Sequence, residues 1–157
     1  MSEYELSLSL LPVVEGDFDR LADLRVAAMR ESLERVGRFD AERARERLRS
    51  TFSPQHTRII VRGRAIVGFF AARPSPGGLS LDHLYVHPDF QSQGIGGAVL
   101  KNLIVEADQN ATPITVGALK ESASNQFYLR YGFEKVGESE WDIYYVRPPS
   151  KKQVVNP

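Results

Sequence analysis

HPDFQSQGIGGAVL, residues 87–100, places three glycines in four positions between an apolar strand-like run and an apolar helix-like run. Glycines that open a helix leave the backbone N–H groups unhindered, and the positive end of the helix dipole points at the same place. Such a loop is suited to hold a phosphate. A tight turn between a strand and a helix, without a ligand, is the simpler alternative. Residues 91–98 are called the glycine turn below.

The flanking segments predict the element order β-α-α-β-β-β-α-β-α-β-β. Alternating leucines near the start predict an edge strand, and apolar residues at spacings of three and four predict a helix after it. Asp17 and Asp40 are the predicted N-caps of the first two helices, and Gly37 is the predicted stop of the first. The predicted strands are 5–14, 57–61, 65–72, 79–86, 114–119, 134–136 and 141–146; the predicted helices are 17–36, 41–50, 95–108 and 124–131.

This order predicts an α/β fold with a mixed, mostly antiparallel central sheet of six to seven strands and flanking helices. A β-α-β crossover joins the strands at 79–86 and 114–119, because the helix at 95–108 lies between them. The glycine turn then follows the carboxyl end of a central strand, where open α/β sheets commonly bind ligands. We expect one domain over residues 1–147 and a disordered tail over residues 148–157.

Composition limits the function further. The 157 residues carry 20 basic and 20 acidic side chains, so no net charge attracts the chain to nucleic acid or to a membrane surface. The chain has neither a run of apolar residues long enough to span a membrane nor a recognisable signal peptide, which predicts a cytoplasmic protein. The absence of cysteine excludes disulfides, thiolate metal sites and a cysteine nucleophile.

Spacing separates the phosphate-binding loops. A Walker A loop requires Gly-Lys-Ser/Thr where Val99 and Leu100 stand, and a dinucleotide fingerprint requires Gly or Ala at Val99. The remaining pattern, Gln91-x-x-Gly94-x-Gly96, resembles the pyrophosphate loop Q/R-x-x-G-x-G/A of the GNAT N-acetyltransferases. FYLRYGFEKVGE, residues 127–138, is similar to the second conserved block of that family, with a tyrosine four residues before Gly-Phe. The resemblance covers residues 5–146.

The resemblance implies an acetyl-CoA site with no metal. The backbone N–H groups of residues 93–98 would hold the pyrophosphate, and the strand before them would offer backbone groups to the pantetheine arm. Glutamines stand at positions 91 and 93, where the family often has arginine, so the loop keeps donors but loses charge. The cofactor-binding residues are predicted to be Leu84, Tyr85, Val86, Gln91, Gln93, Gly94, Ile95, Gly96, Gly97, Ala98, Ser124, Asn125 and Tyr128.

The resemblance assigns to Tyr128 the protonation of the departing thiolate, since a phenol can donate to a thiolate within hydrogen-bond reach. The alternative is a core tyrosine packed beside Phe127 and Phe133. Asp82 and His83 are the candidate bases, and their side chains should point to opposite faces of the strand. A satisfied structural histidine is an equal alternative for His83. His83 and His87 lie about 13 Å apart on a strand, too far to share one metal ion.

The implied activity is transfer of an acetyl group from acetyl-CoA to a primary amine by direct attack in a ternary complex, which makes the protein an acyltransferase. A non-catalytic acyl-CoA sensor is the alternative. The acceptor, a small amine or a protein amino group, would face the first two helices and the last loops, with Arg25, Arg30, Glu31 and Trp141 as guesses for its wall. Arginines at 43, 45, 47 and 49 form a solvated face or border a cleft for carboxylate-bearing acceptors. The fold allows a homodimer.

Overall fold

The structure is a computed structural model, and it describes residues 7–150 of the chain. All the predicted helices and strands are present within this range. The strands are β1 (Leu8–Pro12), β2 (Thr57–Arg62), β3 (Ala65–Ser75), β4 (Gly78–Val86), β5 (Ile114–Leu119), β6 (Glu134–Glu138) and β7 (Asp142–Arg147); the helices are α1 (Phe18–Arg35), α2 (Ala41–Thr51), α3 (Ile95–Gln109) and α4 (Ser124–Arg130).

The seven strands form one sheet in the order β1-β2-β3-β4-β5-β7-β6. The β1–β2, β2–β3, β5–β7 and β6–β7 pairs are antiparallel, whereas β4 and β5 are parallel and are joined through α3. The predicted fold class, the crossover and the position of the first strand at an edge are therefore confirmed. The expected disordered tail lies outside the described residues, except for its first three.

The described chain forms two compact units, one up to Ala72 together with Asp82–Ala98, and one of Arg73–Leu81 together with the chain from Val99 onward. In the first unit, α1 and α2 pack with β2 and β3 around a core that includes Leu21, Leu48, Ile59 and Phe69. The single domain expected from the sequence remains a prediction.

Local capping shows how the first two helices are placed. The Asp40 side chain accepts from the Arg43 N–H and caps α2, as predicted. Gly37, at φ 71°, ends α1, also as predicted. Asp17 occupies the predicted N-cap position of α1, but its side chain makes no capping hydrogen bond to that helix. Its carboxylate instead accepts from the Val14 N–H at 2.9 Å and closes the short 3-10 turn of Glu15–Asp17 that precedes the helix.

The second unit contains the crossover. β4 pairs with β5 from Leu79↔Ile114 to Leu81↔Val116, and β5 continues on its other side against β7. Gly78 lies against Pro113, whose carbonyl oxygen would be 2.5 Å from a Cβ at position 78. Only glycine allows the chain to enter β4 this close to the start of β5.

Candidate active site

The glycine turn lies in the first unit and connects β4 to α3 through the 3-10 turn Pro88–Phe90. Ser92 and Gly94 both adopt positive φ, 64° and 82°. The first hydrogen bond of the helix runs from the Ala98 N–H to the Gly94 carbonyl at 3.0 Å. The N–H groups of Ile95, Gly96 and Gly97 therefore precede the first internal bond of α3, and two of them carry no side chain to block a ligand.

This geometry defines which donors of the turn are available. The Ala98 N–H is committed to the helix, so an anion at this terminus would be held by the amides before it. The exposed Gln91 folds back on the chain: its Nε2 donates to the Val86 carbonyl at 2.9 Å, and its N–H donates to the Pro88 carbonyl. The Gln91 side chain thus fastens the turn to the end of β4.

His87 holds the entry to the turn. Its N–H donates to the Val67 carbonyl at 2.8 Å, and its Nδ1 accepts from the Asp89 N–H at 3.1 Å. The turn is therefore positioned by backbone and side-chain hydrogen bonds that lie on both sides of Pro88. His87 is occupied with this structural task. Within residues 7–150 no group of three or more His, Asp or Glu side chains is arranged to bind a metal ion.

A chain of polar side chains crosses the first unit beside β4. The Arg25 Nε donates to the Tyr85 hydroxyl at 3.1 Å, which lies 3.2 Å from the His83 Nδ1, and the His83 Nε2 lies 2.8 Å from the Thr51 hydroxyl. Since arginine only donates, the arrangement that pairs every group has the Tyr85 O–H donating to Nδ1 and Nε2–H donating to Thr51. His83 is neutral in this arrangement.

Burial explains the charge state of this histidine. His83 is buried, and the loss of hydration, with the positive charges of Arg25 and Arg47, lowers its pKa to about 4; the Asp82 carboxylate acts in the opposite direction. Both ring nitrogens have hydrogen-bond partners. These are the surroundings of a positioned structural histidine, and the role of His83 or Asp82 as a base remains a prediction.

Tyr128 lies in the second unit, on α4. Its ring is buried and contacts three aromatic rings, with centroid distances of 5.2 Å to Phe127, 5.3 Å to Phe133 and 6.4 Å to Tyr145. Its carbonyl accepts from the N–H groups of Tyr131 and Phe133 and closes the end of the helix. The tyrosine is therefore held in one place by packing, which is compatible with either of its predicted roles.

Asn125 is buried on the same helix with all its polar atoms paired. Its Nδ2 donates to the carbonyls of Leu119 at 2.9 Å and Ser122 at 3.0 Å, and its Oδ1 accepts from the Tyr145 hydroxyl at 2.7 Å. Ser124 is exposed at the start of α4, whose N-terminus has no side-chain cap. Ala123 occupies the N-cap position, and cofactor binding by Ser124 and Asn125 remains a prediction.

Sequence reasoning selected His83 and Tyr85 but did not connect them to Thr51, and it placed Arg25 only as a guess for the acceptor wall. Two residues apart on β4, His83 and Tyr85 face one side, which the period of a strand indicates. Thr51 and Arg25 lie 32 and 60 positions away from their partners, and no local pattern signals such a contact.

These features define an α/β fold with a helix terminus suited to an anion after its central strand. Residues 27–142 match the family model of the acetyltransferase (GNAT) domain. The chain belongs to the GNAT acetyltransferase family. No curated protein matches it.

Solved structures agree on the fold. An acetyltransferase from Thermus thermophilus is 20% identical with a TM-score of 0.72, over 91% of this chain and 97% of that one. The PaiA N-acetyltransferase from Thermoplasma acidophilum, solved in complex with coenzyme A, is 13% identical with a TM-score of 0.73, over 90% and 99%. The ribosomal-protein-S18-alanine N-acetyltransferase from Escherichia coli is 15% identical with a TM-score of 0.67, over 96% and 99%.

No helix among the described residues is long and apolar enough to cross a membrane. The cytoplasmic location and the homodimer remain predictions.

Proposed function

We propose that this protein transfers the acetyl group of acetyl-CoA to a primary amine in a ternary complex. The observation that carries the proposal is the start of α3, where the amides of Ile95, Gly96 and Gly97 precede the first helical hydrogen bond. A pyrophosphate placed there receives several backbone donors and the positive end of the helix dipole. Family membership and a relative solved with coenzyme A support the same ligand.

The reaction needs no covalent intermediate on the protein. The amine nitrogen attacks the thioester carbonyl carbon, the carbon–sulfur bond breaks, and an amide forms. The amine gives up one proton to a base or to water, and the departing thiolate takes one proton from the Tyr128 phenol, which solvent then replaces. The role of Tyr128 is proposed from the resemblance, and its fixed position in the second unit supports it because a proton donor must be held in place.

The first experiment separates binding from transfer. Acetyl-CoA is titrated into the purified protein by calorimetry, and thiol release is then followed with a panel of polyamines, amino acids, aminoglycosides and lysine peptides. Tyr128→Phe should lower amine-dependent thiol release by about 100-fold, the lower range of general acid catalysis, while acetyl-CoA affinity is kept. Tyr131→Phe is the matched control, since Tyr131 packs against the same Phe127 ring at 5.2 Å.

A second pair of variants tests the glycine turn. Gly96→Glu places a carboxylate where the phosphate is proposed to bind and should weaken acetyl-CoA binding by at least about tenfold through repulsion and steric blocking. Gly16→Glu is the control, because a side chain at Gly16 meets open space. Equal affinity in both variants would remove the phosphate site from the glycine turn.

The alternative function is an acyl-CoA sensor without transfer. Tyr128 packs among Phe127, Phe133 and Tyr145, and a tyrosine with only a structural role in the core has the same surroundings. This packing favours the sensor. Tight acetyl-CoA binding with no thiol release from any amine would select the sensor.

A further inference from the structure

Arg25 on α1 is a buried cation that has no carboxylate partner among residues 7–150. The residue is 6% exposed, and it donates from Nε to the Tyr85 hydroxyl and from Nη1 to the Ala44 carbonyl at 2.6 Å. Within residues 7–150 no Asp or Glu lies within ion-pair distance of it. A guanidinium that is removed from water and held only by neutral acceptors is costly unless an anion compensates it.

The remaining nitrogen of this guanidinium, Nη2, is not used by any group of residues 7–150. Neither hydrogen bond of Arg25 uses Nη2. In the part of the chain that the structure describes, every fully buried side-chain nitrogen or oxygen has a hydrogen-bond partner. Nη2 is therefore not fully buried, and it keeps donors that a ligand at the first unit could use.

The arginines of α2 divide into two groups. Arg45 pairs with Asp19 and Asp23 at 2.8 and 2.7 Å, and Arg49 pairs with Glu15, so this group fastens α2 to α1 and to the turn before it. Arg43 and Arg47, one turn apart on another face of the helix, have no carboxylate partner among residues 7–150.

The positive charges of Arg25 and Arg47 both affect His83 in the first unit. The charges of both disfavour protonation of His83, which also lies in hydrogen-bond contact with Tyr85, the partner of Arg25. The one carboxylate that acts on His83 is that of Asp82, the adjacent position of β4, and side chains of adjacent strand residues point to opposite faces. Geometry supports the same placement: Thr51, one helical turn after Arg47 on α2, lies 2.8 Å from the His83 Nε2 through its hydroxyl. Arg25 and Arg47, which have no carboxylate partner among residues 7–150, therefore belong to the elements that pack beside His83 and Tyr85.

We propose that Arg25 and Arg47 bind a carboxylate of the acceptor, so that the acceptor class is a primary amine that carries a carboxylate, such as an amino acid or an acidic peptide. That the carboxylate belongs to an acceptor rests on the acetyl transfer proposed above. A planar guanidinium is suited to a carboxylate, which takes two parallel N–H donors. Because His83 is neutral, the positive charge beside it comes from the two arginines.

The test uses ligands that differ only in charge. Binding of N-acetylglycine, N-acetylleucine and N-acetylglutamate is measured by calorimetry against the corresponding carboxamides, so the readout does not depend on turnover. The acids should bind at least about tenfold more tightly than the amides, the ratio expected for one charge-assisted bidentate contact. Arg47→Gln should remove most of this preference, and the matched exposed variant Arg43→Gln should keep it.

Arg25→Lys is the second variant, because lysine keeps the charge but loses the fork and should lower the preference without leaving an uncharged buried cavity. Equal binding of acids and amides, no binding of any acid, or the same loss in Arg43→Gln as in Arg47→Gln would overturn the proposal.

Two further outcomes distinguish the sources of the anion and the two proposals. In the thiol-release assay, a preference for phosphoethanolamine over β-alanine would assign the cations to a phosphate and overturn the carboxylate. Binding of the acids in a protein that does not bind acetyl-CoA would instead reject the proposed transfer and keep the anion site.

Discussion

Replacement of Asn125 by alanine should destabilise the fold strongly. The change removes two hydrogen bonds from Nδ2, to Leu119 and Ser122, and one to Oδ1 from the buried hydroxyl of Tyr145. At about 1 kcal/mol net for each bond, the loss is about 3 kcal/mol, and the unpaired Tyr145 hydroxyl adds to it. Tyr145→Phe removes only the last bond and should cost about 1–2 kcal/mol.

The free energy of unfolding is measured by urea denaturation for the wild type, both single variants and the double variant. The double variant should be less destabilised than the sum of the single variants by about 1 kcal/mol, because both single changes remove the same hydrogen bond. A loss below about 1 kcal/mol in Asn125→Ala would refute the view that its hydrogen bonds stabilise the fold. If acetyl-CoA affinity falls while stability is kept, Asn125 binds the cofactor, as the sequence predicted.

Three further predictions concern stability and charge. Gly68→Ala should cost at least about 2 kcal/mol in urea denaturation, because its Cβ would lie 2.2 Å from the Tyr85 carbonyl oxygen, whereas Gly16→Ala, in open space, should change little. The His83 imidazole, with its pKa lowered to about 4 by burial, should stay neutral above pH 6 in an NMR titration. Its contribution to the free energy of unfolding should be lost as the pH falls from about 6.5, the pKa in the unfolded chain, towards 4. An NMR titration midpoint above pH 6 would contradict this. The Arg147 guanidinium, through its hydrogen bonds, lowers the pKa of Asp108. The pair therefore stabilises the fold above the pKa of about 3.9 that an aspartate has in the unfolded chain, and this stabilisation is lost as the pH falls below it. Asp108→Asn should flatten the acid side of a plot of the free energy of unfolding against pH, and an unchanged plot would count against the pair.

The order of helices and strands could be predicted because each element carries its own periodicity. Apolar spacing in α1 and alternation in β5 are local signals, and each determines which face is buried. The position of β7 between β5 and β6 has no such signal, since it depends on pairing between residues about 30 positions apart, such as Thr115 with Val146. The short 3-10 turns were missed because three residues are too few to show a period.

The candidate site also has features that the sequence could predict and features that it could not. The glycine turn was located because its proposed function would be carried by backbone groups, and glycine spacing reports backbone geometry directly. The use of individual donors was not predictable. Gln91 donates to Val86 and Ala98 donates within α3, and both facts depend on how the chain folds around the turn. Donors in a motif that predicts ligand binding can thus be used by the protein itself.

Whether a polar atom is already used by the protein also decides whether it can act as a base. A general base needs a lone pair that the substrate ammonium can reach. In the neutral arrangement of His83, the Nδ1 lone pair accepts from Tyr85 and the Nε2 proton is donated to Thr51. Proton uptake at Nδ1 would remove the acceptor of the Tyr85 O–H, so this hydroxyl, which already accepts from Arg25, would face a second N–H donor. It would also place a second positive charge in a buried site. Transfer that depended on His83 would therefore require this chain to open, and Tyr85→Phe, which removes its central hydroxyl, should then raise the rate of transfer near neutral pH. If the rate is unchanged or falls, the proton leaves the amine by another route.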